Sequence, residues 1–408
     1  MVSKDLERFL AILPTFEHQK GLKLFDELGK DPANAAPILQ ELLFVASNHE
    51  DPQLHTPHGV PTMHAGRELL LLTRPPGGLG LLRFLVMYNF SLRKRSLTFD
   101  QAHAKARGVP PASVEELHVG YRKAIGGNLG PQAAAVLGRV ALDHGPEAAV
   151  HVAVRTSLDE IGRLGHNLVL AVAYVDVALS LGLPKALVPL ANLAYVQATA
   201  LAGIHPVEIP ERQEAADRGE PDVELLGKLA EDWEFDRMQG VIEALAFEGH
   251  ADLAYKPLLI AASADPGFLG HTLSLVHTAR LATRYLTPAE NSWLLWKLYR
   301  VLTTRFGYPG FLVLGEQGVV DAPSILPAIE SSLRHKSPPA EETVRRALEG
   351  GVPVEDLLAY VVDFYGNWTV GEKEHTISYL NAALQTARFL GRDHALLPLA
   401  IALSKLPF

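Results

Sequence analysis

Four histidines recur along this chain at a nearly constant interval. His64, His166, His271 and His375 are separated by 102, 105 and 104 residues. Each opens an Ala- and Leu-rich run, and a leucine follows fifteen residues after each. The start of a helix has unpaired N–H groups and the positive end of the helix dipole, which disfavours a protonated imidazole. A neutral imidazole can donate through one ring nitrogen and accept a proton or bind a metal through the other.

The runs that follow these histidines predict the elements that must position them. They read "LGHNLVLAVAYVDVALSLG" from Leu164, "LGHTLSLVHTARLATRYL" from Leu269, "KEHTISYLNAALQTARFLG" from Lys373 and "PTMHAGRELLLLTRPPGGLG" from Pro61. Each run predicts a helix, a break near Gly or Pro, and a second apolar helix. The one strand candidate is a short run at 309–320.

This spacing predicts an all-α fold built as an array of about four helical repeat units of roughly 104 residues. The units span approximately 20–120, 121–225, 226–330 and 331–408, within a single all-helical domain over 1–408. An open solenoid and a closed α/α ring are equally compatible with the pattern.

Three interpretations of the repeated histidines stay open. Each imidazole could hydrogen-bond a backbone carbonyl in the turn before its helix, which is a structural role. All four could instead line one pocket for a small molecule, or together hold a metal ion. In the pocket interpretation the catalytic candidates are His64, His166, His271 and His375.

The first unit carries an additional segment, "NHEDPQLHTPHG", before its repeated histidine. It places three further imidazoles near His64, beside Glu50 and Asp51. Imidazole and carboxylate groups are common ligands of divalent metals. The metal candidates are therefore His49, His55, His58 and His64.

Composition excludes several classes of protein. There is no cysteine, which excludes disulfides, iron–sulfur clusters and thiol catalysis. A net charge of −9 argues against nucleic acid as a partner. The start "MVSKDLERFL" lacks the apolar run of a signal peptide, and the longest apolar stretch is too short to span a membrane, so we expect a cytoplasmic protein. Only four methionines and no cysteine fit a thermophilic source.

Common catalytic signatures are also missing. The chain has no G-x-G-x-x-G after a strand, no P-loop, no H-E-x-x-H and no G-x-S-x-G. A dedicated dinucleotide domain, an NTPase, a zincin and an α/β-hydrolase are therefore not indicated.

Helical chains with such histidine-led segments resemble the questin oxidase-like family. The likeness is carried by "GHNLVLAVAYVDVALSLG", "GHTLSLVHTARLATRYL", "EHTISYLNAALQTARFLG" and "SNHEDPQLHTPHGVPTMHA". The resemblance implies an oxidoreductase that performs a Baeyer–Villiger-type reaction on a polycyclic aromatic ketone with NADPH. It also implies that the four repeated histidines line the pocket, polarise a carbonyl and transfer protons.

Two functions from different classes follow from these observations. The first is an oxidase or oxygenase that binds a small aromatic or apolar molecule in a His-lined cavity between helical repeats. The second is a non-catalytic helical-repeat scaffold that binds a protein or peptide partner on a concave face. Only 20% of the residues are charged, which favours a large interior; an apolar homodimer interface is the other use of such surface.

Overall fold

The computed structural model describes most of the chain. The described residues are 3–15, 17–49, 57–73, 77–92, 99–161, 165–209, 220–267, 270–306, 322–335, 339–366 and 373–404. These residues form helices and connecting turns and contain no strand, so the prediction of an all-α fold is confirmed. The strand candidate at 309–320 lies outside the described residues. Within the described part, no helix is both long and apolar enough to cross a membrane.

The chain divides into two compact units. Residues 1–207 with 365–369 form the first unit, and residues 208–364 with 370–408 form the second. The four boundaries expected from the histidine spacing are finer than this division and stay a prediction.

The helices of the first unit follow one another with short connections. They are α1 (Lys4–Ile12), α2 (His18–Leu28), α3 (Ala35–His49), α4 (Gly59–Leu70), α5 (Leu79–Ser91), α6 (Phe99–Arg107), α7 (Val114–Gly126), α8 (Gly130–His144), α9 (Pro146–Ser157), α10 (His166–Leu181) and α11 (Leu187–Ala200).

The second unit has a similar order of helices. They are α12 (Val223–Glu231), α13 (Phe235–Phe247), α14 (Tyr255–Ala264), α15 (His271–Ala282), α16 (Pro288–Phe306), α17 (Ala322–His335), α18 (Ala340–Glu349), α19 (Val354–Gly366), α20 (Lys373–Leu390) and α21 (Leu396–Ser404).

Local sequence explains several helix boundaries. Ser113 caps α7 and forms a reciprocal capping box with Glu116, which satisfies two backbone N–H groups at the helix start. Asp222 caps α12 by accepting from two backbone N–H groups. Gly182 and Gly391, both with positive φ, follow the ends of α10 and α20, where glycine adopts the left-handed region without strain.

The helices at the centre of each unit are apolar on all sides. In α11 every residue from Leu187 to Ala198 is buried, and α11 packs against α3, α6, α7, α8, α9 and α10. In the second unit α21 packs against α14, α17, α18 and α20. A helix without a polar face is stable in water only when other helices surround it, so these two elements form the cores of their units.

The segments α10–α11 and α20–α21 share the offsets of a glycine and a proline from their opening histidines. Gly182 and Gly391 both lie sixteen residues after His166 and His375, and Pro189 and Pro398 both lie twenty-three residues after them. Each proline falls in the first turn of its helix, where a missing N–H costs no hydrogen bond. The correspondence gives a common numbering in which positions of the two units can be compared.

Candidate functional site

In the first unit α4 and α10 bring three histidines and a carboxylate close together. The rings of His58 and His166 lie with centroids 6.0 Å apart, one edge-on to the other. Further along both helices, His64 Nε2 lies 2.8 Å from Asp176 Oδ2. Contacts that advance along both helices in the same direction mean that α4 and α10 are parallel, with their N-termini side by side.

The helix starts explain why His58 and His166 meet. His166 is the first residue of α10, and Gly165 before it has a left-handed backbone with φ of 76°. His58 is the N-cap of α4. The prediction that His64 starts its helix is wrong: His64 is the sixth residue of α4, and the histidine at this helix start is His58, one position earlier than that of His166 in α10.

His64 and Asp176 form a buried polar pair. Their exposed fractions are 6% and 5%. When the carboxylate is ionised, Nε2–H donates to it, which fixes the tautomer and leaves Nδ1 as the nitrogen that accepts a proton. A carboxylate that orients an imidazole in this way is the arrangement with which enzymes hold a general base and stabilise its protonated form.

The surroundings of this pair are apolar. The α10 residues from Leu168 to Val175 are buried except Val169, and all of them are aliphatic apart from Tyr174. One other polar group on α4 is buried: the hydroxyl of Thr62 is fully covered and has no hydrogen-bond partner among the described residues. Buried hydroxyls in proteins nearly always have a partner, so Thr62 Oγ1 is available to a polar atom of a bound molecule.

The second unit contains a matching pair of helices, α15 and α20. The ring centroids of His271 and His375 lie 5.2 Å apart at the helix starts. Further along, the guanidinium of Arg280 lies 4.2 Å from the ring centroid of Phe389. These two helices are therefore parallel as well. The predictions that His271 and His375 lie at helix starts are confirmed, since they are the first residue of α15 and the third of α20.

The polar positions of the two helix pairs coincide by offset. His64 lies six residues after His58, and the buried His277 lies six residues after His271. Asp176 lies ten residues after His166, and Gln385 lies ten residues after His375. The second unit therefore has a neutral amide at the position where the first unit has a carboxylate.

The second helix pair is lined by neutral polar groups. Tyr379 O–H, Asn381 Oδ1 and Thr386 Oγ1 are buried on α20 and have no hydrogen-bond partner among the described residues. Burial raises the pKa of Tyr379, so its hydroxyl stays protonated and can donate. In the first unit the same offsets carry Leu170, Val172 and Val177.

The structure thus gathers the predicted catalytic histidines into two local groups. His166 lies against His58, with His64 on the same helix pair, and His271 lies against His375. Sequence reasoning missed Asp176 as a partner of His64. The signal was present: Asp176 is the only ionisable side chain between His166 and Leu181 apart from Tyr174, and helices of such apolar composition rarely bury a carboxylate without a partner.

The predicted metal site is only partly within the described residues. His55 lies outside them, and of His49 only the backbone is described. His58 is the N-cap of α4 and His64 its sixth residue, and Nε2 of His64 lies 2.8 Å from Asp176 Oδ2. Among the side chains that are described, no three histidine or acidic groups cluster in a way that could hold a metal ion.

The groups around His64 do not match the requirements of a dinucleotide. A pyrophosphate is bound by cations or by a glycine-rich turn. The arginine on α4, Arg67, is paired with Glu68 at 2.8 Å, and Arg155 on the adjacent α9 lies 3.4 Å from Asp159. The described residues therefore do not fit the phosphates of NADPH.

Comparison of the chain with models of known protein families, with curated proteins and with solved structures finds no match.

Proposed function

We propose that this protein is an enzyme that transfers protons at a small aromatic or apolar molecule, with His64 as the general base and Asp176 as its positioning residue. The observation that carries the proposal is the buried hydrogen bond between His64 Nε2 and Asp176 Oδ2. In this role Nδ1 of His64 takes a proton from a carbon or oxygen adjacent to a carbonyl, and Asp176 stabilises the imidazolium that forms.

The comparison of the two units supports a chemical role for Asp176. Taking a carboxylate and an imidazole out of water costs several kcal/mol unless both are well paired. Parallel helices with the same histidine offsets pack in the second unit with Gln385 in place of the carboxylate. The packing itself therefore does not require an acid at this position, and its presence in the first unit favours a function.

The particular reaction that the questin oxidase-like resemblance implies is an oxidation of an aromatic ketone. In a Baeyer–Villiger-type reaction one oxygen atom of O₂ is inserted beside the carbonyl, two electrons come from NADPH, and the other oxygen atom leaves as water. We propose this Baeyer–Villiger-type oxidation as the particular reaction of the enzyme. The described residues around His64 do not fit the phosphates of NADPH, so His64 and Asp176 would take part only in the transfer of protons. We place this enzyme in the cytoplasm, without a nucleic-acid partner.

We also infer that the chain arose from four copies of one module, arranged as an array of helical repeats. The offsets that relate α10–α11 to α20–α21 support this inference, as do the offsets that relate His58 and His64 to His271 and His277. In this arrangement the histidines that open the four modules are His58, His166, His271 and His375.

The test uses the purified full-length chain with a panel of cyclic and aromatic ketones in deuterated buffer. Proton NMR measures exchange of the hydrogens next to the carbonyl, and oxygen consumption with NADPH measures oxidation in parallel. We expect His64→Gln to slow exchange at least about a hundredfold, since general bases contribute about 10²–10⁴ in rate. Asp176→Asn should slow it at least tenfold, because the tautomer is no longer fixed.

His205→Gln is the matched control, since His205 is exposed in the same unit. Its rate should equal that of the unsubstituted protein. If the His64 and Asp176 variants exchange as fast as the unsubstituted protein, these residues are not the base and its positioning residue. If no ketone exchanges faster than in buffer, the scaffold function gains support.

A further inference from the structure

The second unit contains a cavity between α13 and α16. Its volume is about 310 Å³, at the lower end of the roughly 300–1,000 Å³ of small-molecule sites. A single-ring ligand fits such a volume better than a polycyclic one. The residues that decide its chemistry are Glu208, Glu243, Phe247, Trp293, Trp296 and Lys297.

One wall of the cavity is formed by two indole rings. Trp293 and Trp296 lie three residues apart on α16, so both face the same side of this helix. The ammonium of Lys297 lies 5.5 Å from the centroid of one ring and 5.7 Å from the other. Tryptophan has the most favourable aromatic face for a cation within about 6 Å, so this wall already holds a positive charge.

The opposite wall contains a carboxylate that is nearly covered. Glu243 on α13 has an exposed fraction of 9%, and its Oε1 accepts a hydrogen bond from Gln239 Nε2 at 3.0 Å. Glu208 adds a second carboxylate at the rim. Among the residues that line the cavity, two carboxylates therefore stand against one ammonium, whereas the guanidinium of Arg300 is not part of this lining and lies 4.7 Å from the ring centroid of Trp296.

We propose that this cavity binds a small organic cation, an ammonium group carried on a single aromatic ring. The ammonium would lie between the indole faces and Glu243, where cation–π attraction and the carboxylate act together. The ring of the ligand would pack against Phe247. An anion would meet two carboxylates and is disfavoured. This proposal is independent of the acid–base site, since none of the residues involved lies on α4 or α10.

The internal ammonium of Lys297 makes the proposal testable. A cationic ligand must compete with Lys297 for the indole faces, whereas an anionic ligand would need Lys297 as its partner. Replacing this lysine by an uncharged side chain of similar length therefore shifts the two affinities in opposite directions.

The experiment is isothermal titration calorimetry of the full-length protein with benzyltrimethylammonium, with benzoate and with benzyl alcohol. We expect the cation to bind, and the neutral and anionic rings to bind at least about tenfold more weakly. Glu243→Gln and Trp296→Leu should each weaken binding of the cation about tenfold. Lys297→Met should strengthen binding of the cation severalfold.

Glu248→Gln is the matched control, because Glu248 is exposed at the end of α13. Its affinity for the cation should equal that of the unsubstituted chain. The proposal is overturned if benzoate binds more tightly than the cation, if Lys297→Met weakens binding of the cation, or if no probe binds. Should Trp296→Leu fail to fold by circular dichroism, the Lys297 and Glu243 variants still decide the matter.

Discussion

The parallel helix pairs α4/α10 and α15/α20 share a six-residue spacing of histidines on one helix and differ in the residue ten positions after the opening histidine of the other. In the first unit His64 pairs with Asp176 at 2.8 Å inside an apolar surrounding. In the second, the matching offsets hold His277 and Gln385. The second pair also buries Tyr379, Asn381 and Thr386, where the first has Leu170, Val172 and Val177.

The difference teaches that one packing scheme accepts two kinds of polar lining. Small apolar residues around α10 allow close packing. Among them lies the ionisable pair of His64 and Asp176, and its contribution to stability depends on the hydrogen bond between the two side chains. Around α20 the buried Tyr379, Asn381 and Thr386 are neutral groups that can hydrogen-bond a molecule, and the buried His277 has an amide, not a carboxylate, at the matching offset of the partner helix. Of these two helix pairs, only the first therefore has the imidazole and carboxylate pairing that favours acid–base chemistry.

The largest expected effect comes from removing one member of the ionisable pair. Asp176→Leu leaves the His64 imidazole buried without its partner, and we expect the first unit to lose about 3 kcal/mol of its free energy of unfolding. Gln385→Leu removes only a neutral amide, and the second unit should lose about 1 kcal/mol. Hydrogen exchange by mass spectrometry, followed on peptides of each helix pair, measures both values.

A double variant sharpens this comparison. His64→Leu combined with Asp176→Leu removes both polar partners, and most of the lost stability should return, because apolar replacements of a buried hydrogen-bonded pair are often neutral or stabilising. If Asp176→Leu lowers the free energy of unfolding no more than Gln385→Leu does, the pair of His64 and Asp176 does not stabilise the first unit more than Gln385 stabilises the second.

A contrast of about the same size is expected at the glycines before the helix-opening histidines. Gly165 and Gly270 have φ values of 76° and 79°, and alanine in this region costs about 1 kcal/mol. At Gly270 a Cβ atom would also overlap the ring of Tyr379. We therefore expect Gly165→Ala to cost about 1 kcal/mol and Gly270→Ala about 3 kcal/mol, measured by urea unfolding.

The overlap can be tested separately from the backbone strain. Tyr379→Leu introduces the residue found at this offset in α10, namely Leu170. In that background Gly270→Ala should cost no more than Gly165→Ala. An undiminished cost would mean that the overlap with the tyrosine ring does not contribute.

The smallest expected effect is a difference in pH dependence. Burial, together with Lys256, lowers the pKa of His394 from its ordinary value of 6.5. The unfolded chain then binds a proton at a pH where the folded chain does not, so stability falls as the pH drops below about 6.5. The first unit has Lys185 at the same offset, and a lysine does not titrate in this range.

The measurement compares urea midpoints at about pH 7.5 and about pH 5.5. His394→Gln should reduce the loss of stability of the second unit on acidification. Lys228→Gln serves as the control, because Lys228 is an exposed residue of α12, and it should leave the pH dependence of the second unit unchanged. A variant at His394 that keeps the full pH dependence would show that other groups cause it.

Much of the fold could be predicted from particular residues. The runs after His166 and His375 have no alternating polar residues, and they do form the long helices α10 and α20. The first copy was aligned wrongly, because the leucine fifteen residues after His64 starts α5 and does not end the helix of that histidine. The six-residue offset from His58 to His64 recurs from His271 to His277. An alignment on this offset places His58, and not His64, opposite the helix-opening His271.

The candidate site was predictable only in its parts. The spacing of histidines identified the helices that would carry polar groups, because a covalent repeat preserves helix starts and their side chains. Nothing in the local pattern around Asp176 says which residue of a distant helix it contacts, since Asp176 and His64 lie 112 residues apart along the chain. The cavity wall of Trp293 and Trp296 showed no periodic signal at all.

By itself the amino-acid sequence determined that the described chain is helical, where three of its helix-opening histidines lie and which helices must be buried on all sides. These properties depend on short-range spacing and on the free energy of removing apolar surface from water. Only the tertiary structure decided that α4 runs parallel to α10, that His64 meets Asp176 and that α15 runs parallel to α20. Such pairings depend on which helix faces pack together, and that choice is made by the shape of whole helices and not by any local pattern.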